Sequence, residues 1–125
     1  MTTPADEIAA AAARLRTLAA DAADTSGSSK WEASRIFPEY PDSTATRLRA
    51  NSGGPLLHGG GGKHPAPMVT APVGDYIAAM DPTVGLALAA WLDSWAGVEL
   101  RESATMQEDA RHALAVARAI NGAQQ

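Results

Sequence analysis

The residues PVGDYIAAMDPTVGLALAAWLDSWA, numbers 72–96, decide how the chain is read. Pro72 can open a short helix that carries Tyr76, Ile77 and Met80, and Asp81-Pro82 then restarts the chain as a second helix. An acid at the cap accepts from the free amides of the first turn, and proline just after it lacks an N–H that would have no helical partner anyway. Beyond the restart Val84, Leu88, Trp91 and Trp95 form one stripe, widened by Leu92, and Gly97 stops it. Gly85 and the alanines at 87, 89 and 90 would let neighbouring backbones approach closely. A last helix is predicted from Thr105 and Glu108, which stand at capping-box spacing. Its inner face would be Met106, Ala110, Ala113, Leu114, Ala117 and Ile120, with Gly122 closing it.

Upstream, Thr3-Pro4 followed by Asp6 and Glu7 reads as another helix start, with the acids at the positive end of the dipole. Ile8, Ala11, Leu15, Leu18 and Ala22 recur at heptad-like spacing, and Gly27 ends the run. Such a helix can lie on its own domain or pair closely with a second copy of the chain. Between the helical ends, residues 25–74 hold six of the eight prolines and eight of the eleven glycines. Extended pieces are expected at 31–37, 46–50, 55–58 and 67–70, joined by PDST, NSGG and GGGG turns. In the first piece Trp31, Ala33 and Arg35 would share a face opposite Glu32, Ser34 and Ile36. In the second, Arg47 and Arg49 would point away from Leu48. The expected fold class is therefore α+β: an N-terminal helix over 1–27, a small irregular antiparallel sheet in 28–71, and two to three helices in 72–125 packed on it, all as one domain.

Composition narrows the function. The chain has 125 residues, a net charge of -4 and no cysteine, so disulfide scaffolds, thiolate zinc sites and thiol catalysis are excluded. Alanine supplies 28 of its apolar residues, while Leu, Ile, Val and Phe supply 20, which predicts a thin core. Charge is uneven: residues 1–24 carry -2, residues 25–74 carry +2 and residues 75–125 carry -4. The opening MTTPADEI has neither a basic start nor an apolar stretch after it, and the most apolar run covers only residues 84–95. A cytoplasmic protein without a membrane contact is expected.

Residues 75–93, DYIAAMDPTVGLALAAWLD, carry a resemblance. They are similar to a helix of the form YIA-x-M/H-x-P-x-x-x-L-x-L-A-x-x-L found in small uncharacterised proteins of actinobacteria and their phages. Those proteins look alike in plan: an amphipathic first helix, a tryptophan-bearing strand region, this helix and an alanine-rich last one. The resemblance implies a bacteriophage or prophage accessory protein, working in the cytoplasm of an actinobacterial host cell. Some members carry cysteines before the last helix; this chain has none, so a metal role there does not carry over.

The residues themselves suggest little chemistry. In LLHGGGGKH, residues 56–64, a phosphate loop would need glycine where Leu57 stands and a hydroxyl where His64 stands. The loop from Gly59 to Gly62 with Lys63 could still cradle an anion or a nucleotide, although a hairpin tip is the simpler reading. His58, His64 and His112 lack metal-ligand spacing, and no serine sits on a nucleophile elbow. The chain is therefore expected not to be an enzyme and to use no cofactor or metal. Trp91, Trp95, Leu88 and Leu92 present more apolar area than a thin core covers easily, so either the sheet or a partner should cover them. This predicts a protein acting by protein–protein interaction, a homo-oligomer with a homodimer favoured, that binds a host protein. The alternative is a small nucleic-acid-binding module. Arg35, Arg47, Arg49 and Lys63 would contact phosphate, and Trp31, Phe37 and Tyr40 would stack on bases. The acidic ends oppose that alternative.

Overall fold

The computed structural model describes residues 2–60, 67–98 and 107–122. The order of elements is α1 (Pro4–Ser26), β1 (Trp31–Arg35), β2 (Ala45–Ala50), β3 (Val69–Thr70), α2 (Ala71–Ala79), α3 (Pro82–Ala96) and α4 (Glu108–Asn121). The fold is α+β, with an N-terminal helix, a three-stranded antiparallel sheet in the order β1-β2-β3, and C-terminal helices. The chain divides into two compact units, Met1–Leu18 with Gly85–Gln125, and Ala19–Val84.

The first unit is helical. Thr3 caps α1: its hydroxyl accepts from the Asp6 N–H at 3.1 Å, and its own N–H donates to the Asp6 carboxylate at 3.1 Å. This reciprocal box holds the Asp6 carboxyl below the usual carboxylate range, mainly through the Thr3 backbone bond. Ile8, Ala11, Ala12, Leu92, Ala113, Leu114 and Ala117 form the buried cluster, with Trp95, Val116 and Ile120 packed against it. The alanines let α1, α3 and α4 come close around a few large side chains. Glu7 takes a bidentate pair from Arg118, both distances 3.1 Å, and Asn121 donates to the Glu7 carbonyl at 3.0 Å, so the start of α1 is tied to the end of α4. Arg16 and Asp93 form a further ion pair between α1 and α3.

Two expectations change here. Leu18 is 54% exposed, although the heptad spacing placed it inside. An α-helix turns 100° per residue, so a stripe through Ile8, Ala11, Ala12 and Leu15 drifts to Ala19, which is buried, and leaves Leu18 at its edge. The last helix starts at Glu108 with Gln107 at its cap and no side-chain cap bond; Thr105 and Met106 lie outside the described residues. Its buried face of Ala110, Ala113, Leu114 and Ala117, and its left-handed stop at Gly122, are as expected.

The second unit holds the sheet. β1 pairs with β2 in the register Trp31↔Ala50, Ala33↔Leu48 and Arg35↔Thr46. That register puts Trp31, Ala33 and Arg35 on the face of Thr46, Leu48 and Ala50, and puts Glu32 and Ser34 with Arg47 and Arg49 on the other. After β2 the chain turns at Asn51 to Gly54 and runs back beside it: the Ala50 N–H donates to Gly54, and the Leu56 N–H to Leu48. The expected strand at 55–58 is thus one bridge at Pro55. Helix α2 lies on the sheet through Gly74. A Cβ there would stand 2.7 Å from Val69 Cγ2 and 2.9 Å from Thr46 Cγ2, which only glycine avoids.

Candidate interaction surfaces

Three parts of the second unit meet at Asp81. Its Oδ1 accepts from the Val84 N–H at 3.1 Å, the cap expected for α3, while Oδ2 accepts from the Trp31 N–H at 3.2 Å. Thr83 adds two bonds to the Ser29 carbonyl, from its N–H at 3.0 Å and its hydroxyl at 2.9 Å. The carboxylate that starts a helix therefore also holds the first residue of β1. The Trp31 indole N–H donates to the Ser26 hydroxyl at 3.0 Å, and that hydroxyl donates to the Ser28 carbonyl at 2.9 Å. Trp31 so held forms one wall of a cleft of about 190 Å³, with Thr25, Pro55, Leu56 and His58 around it. The cleft can receive an apolar group against the ring. It brings no pair of acid and base together.

Arg35 is committed within the unit. Its guanidinium forms a bidentate pair with Asp75, at 3.0 and 2.7 Å, and also donates to Thr46 Oγ1 at 3.1 Å. Bonding to Arg35 holds the Asp75 carboxyl below the usual carboxylate range, and the same bond raises the guanidinium. Arg49 donates to the Gly53 carbonyl at 3.0 Å. Arg47 is exposed on the uncovered face of the sheet, with no bond partner among the described residues. Lys63 and His64 lie outside the described residues, as do Gly61 and Gly62 of the glycine run. The cations proposed for nucleic acid are thus divided, with Arg47 and Arg49 on one face and Arg35 on the other. Trp31 shares the face of Arg35, while Phe37 and Tyr40 sit in the turn after β1, their rings 6.4 Å apart.

Nor do the four apolar residues of α3 form one open patch. Leu92 is fully buried and Trp95 packs on the same cluster, so their cover comes from α1 and α4. Leu88 is half-buried, and Trp91 is 38% exposed. The Trp95 Nε1 is buried without an acceptor among the described residues.

Among the described residues the most open apolar stripe lies instead along α2 and its C-cap Met80. Val73, Tyr76 and Met80 are 55%, 67% and 45% exposed, on the side of the helix opposite the buried Ala71 and Gly74. Their spacing of three and four is a helical stripe, but it points away from the sheet. Periodicity alone could not find it, because a stripe on a short helix reads the same whether it faces in or out. The glycine at 74 was the available signal: it marks the side that packs directly on the side chains of Val69 and Thr46.

Among the described residues no group of three or more acids and histidines could hold a metal ion, and no helix is long and apolar enough to cross a membrane. His112 is exposed on α4, 3.5 Å from Glu108. No known protein family, curated protein or solved structure matches the chain.

Proposed function

We propose that this chain is a non-enzymatic accessory protein that acts by protein–protein contact, associating with itself and binding a host protein. The observation that carries the reading is the outward stripe of Val73, Tyr76 and Met80 on α2. Large apolar side chains in a row on a helix forfeit roughly 1.5–3 kcal/mol each when left in water rather than fully buried, so their burial against a partner is favourable. The partner's matching surface is apolar, a groove or a second helix, because α2 has one charged residue, Asp75, and Arg35 neutralises it. The phage setting rests on the resemblance at residues 75–93, which contain Tyr76 and Met80.

The test is a nuclease-treated capture from actinobacterial lysate with the wild type and with Tyr76→Asp, followed by titration of the recovered protein against both. The expected result is one protein recovered in stoichiometric amount, bound with little dependence on salt and lost in the variant. Equal recovery by Tyr76→Asp, or recovery of the bait alone, would sink the reading. The alternative, nucleic acid on the uncovered sheet face with Arg47, predicts signal only without nuclease and affinity that falls steeply with salt.

A further inference from the structure

Strand β1 is an edge, and its bonding pattern says which of its groups are open. The Ile36 N–H donates to Ala45 and the Asn51 N–H to Lys30, so the even-numbered residues of β1 bond inward to β2. In an antiparallel ladder the alternate residues then direct both their N–H and C=O outward. Trp31 fits this, because its N–H leaves the sheet to reach Asp81. Ala33 and Arg35 remain. Among the described residues nothing meets their outward N–H and C=O groups.

We infer that a second copy of the chain docks here, its β1 antiparallel to the first across a two-fold axis at Ser34, so that two three-stranded sheets become one of six. This deepens the self-associating half of the interaction reading and rests on it. In this register Ala33 faces Arg35 of the other copy, and four hydrogen bonds satisfy the open N–H and C=O groups of both residues in both copies. No like charges meet, and the two Ser34 hydroxyls lie side by side on the uncovered face.

The neighbouring registers are each opposed by a named group. Centring on Ala33 would push the Arg35 carbonyl of one copy against the Asp81 carboxylate that already holds Trp31. Centring on Arg35 opposes two guanidinium groups, and centring on Glu32 opposes two carboxylates. Asp81 thus blocks one end of the edge and leaves a short segment open. That segment pairs with its own copy and not with long strands of any sequence.

The chain has no cysteine, which makes the register directly readable. Ser34 would face itself in a non-hydrogen-bonded pair, with Cα atoms about 4.5 Å apart, within reach of a disulfide. Ser34→Cys should therefore form a linked dimer rapidly under mild oxidation, and Glu32→Cys, also exposed but facing Ile36, should not. By sedimentation the wild type should be a dimer at micromolar concentration. Ala33→Pro removes an outward N–H that makes no bond to β2, so the circular dichroism should persist while self-association weakens about tenfold or more. A monomeric wild type, cross-linking of Ser34→Cys no faster than of Glu32→Cys, or a dimer abolished by Tyr76→Asp would each overturn the proposal. Equal capture of a lysate partner by the wild type and Tyr76→Asp, with the dimer intact, would count against the α2 stripe alone.

Discussion

The helical unit is centred on Ile8, Leu92 and Leu114 packed among alanines, with Leu18, Leu86 and Trp91 at its surface. The sheet unit, among the described residues, fully buries one side chain of that kind, Leu48, and leaves Val73, Tyr76 and Met80 outside. What holds the second unit together is instead a set of polar bonds between parts distant in sequence: Asp81 to Trp31, Thr83 to Ser29, Arg35 to Asp75 and Thr46. Even its buried Thr46 is fully used, donating to the Thr44 carbonyl at 2.9 Å while accepting from Arg35. Apolar area tolerates small displacements, whereas a hydrogen bond does not, so the two units should respond differently to substitution.

The largest effect should come from the helical unit. Leu92→Ala empties the centre of its cluster and should cost about 2–5 kcal/mol in chemical denaturation, with loss of helical signal. A cost below 1 kcal/mol would mean that the alanine-lined helices close over the gap, and the contrast between the units would disappear. Next in size is Gly74→Ala. On an exposed helix the change would gain about 1 kcal/mol, but here the new methyl meets two stiff, β-branched side chains and should cost about 1–3 kcal/mol. A stabilised variant would show that α2 can lift off the sheet.

Asp81→Ala removes a helix cap and the acceptor for a strand amide together, with an expected loss of about 1–2 kcal/mol. Asp81→Asn keeps an acceptor for either bond and should recover most of it. Equal losses would assign the effect to the charge.

The smallest effect is the pH response of Asp75. Its folded pKa lies below the ordinary value of 3.8, so its contribution is complete above that value and falls away as the pH drops through the lowered one. Stability of the sheet unit should be level at neutral pH and decline at acid pH, and Asp75→Asn should flatten that decline. Unchanged acid sensitivity in the variant would transfer the effect to other carboxylates, such as Asp6 in the helical unit.

The difference between the units also separates what was legible in the sequence from what was not. Helix starts at Thr3-Pro4 and Asp81-Pro82 and the stops at Gly27 and Gly122 were readable, because caps are made by residues within three or four positions of one another. The split of β1 and β2 into faces was readable for the same reason, since side chains alternate along any strand. The candidate site was less so. Sequence pointed to Trp91, Trp95, Leu88 and Leu92 as apolar excess, yet Leu92 and Trp95 are part of a core that residues far away in the chain complete.

By itself the sequence determined the α+β class, the helix starts at Thr3-Pro4 and Asp81-Pro82, the stops at Gly27 and Gly122, and the absence of thiol chemistry, all matters of local bonding or of composition. Only the tertiary structure decided that Leu18 faces out and Ala19 in, that Asp81 serves a helix and a strand at once, that Arg35 is spent on Asp75, and that the outward groups of Ala33 and Arg35 stay open. Each of those depends on which partner arrives from tens of residues away, and that is set by how the elements pack and not by the spacing within any one of them.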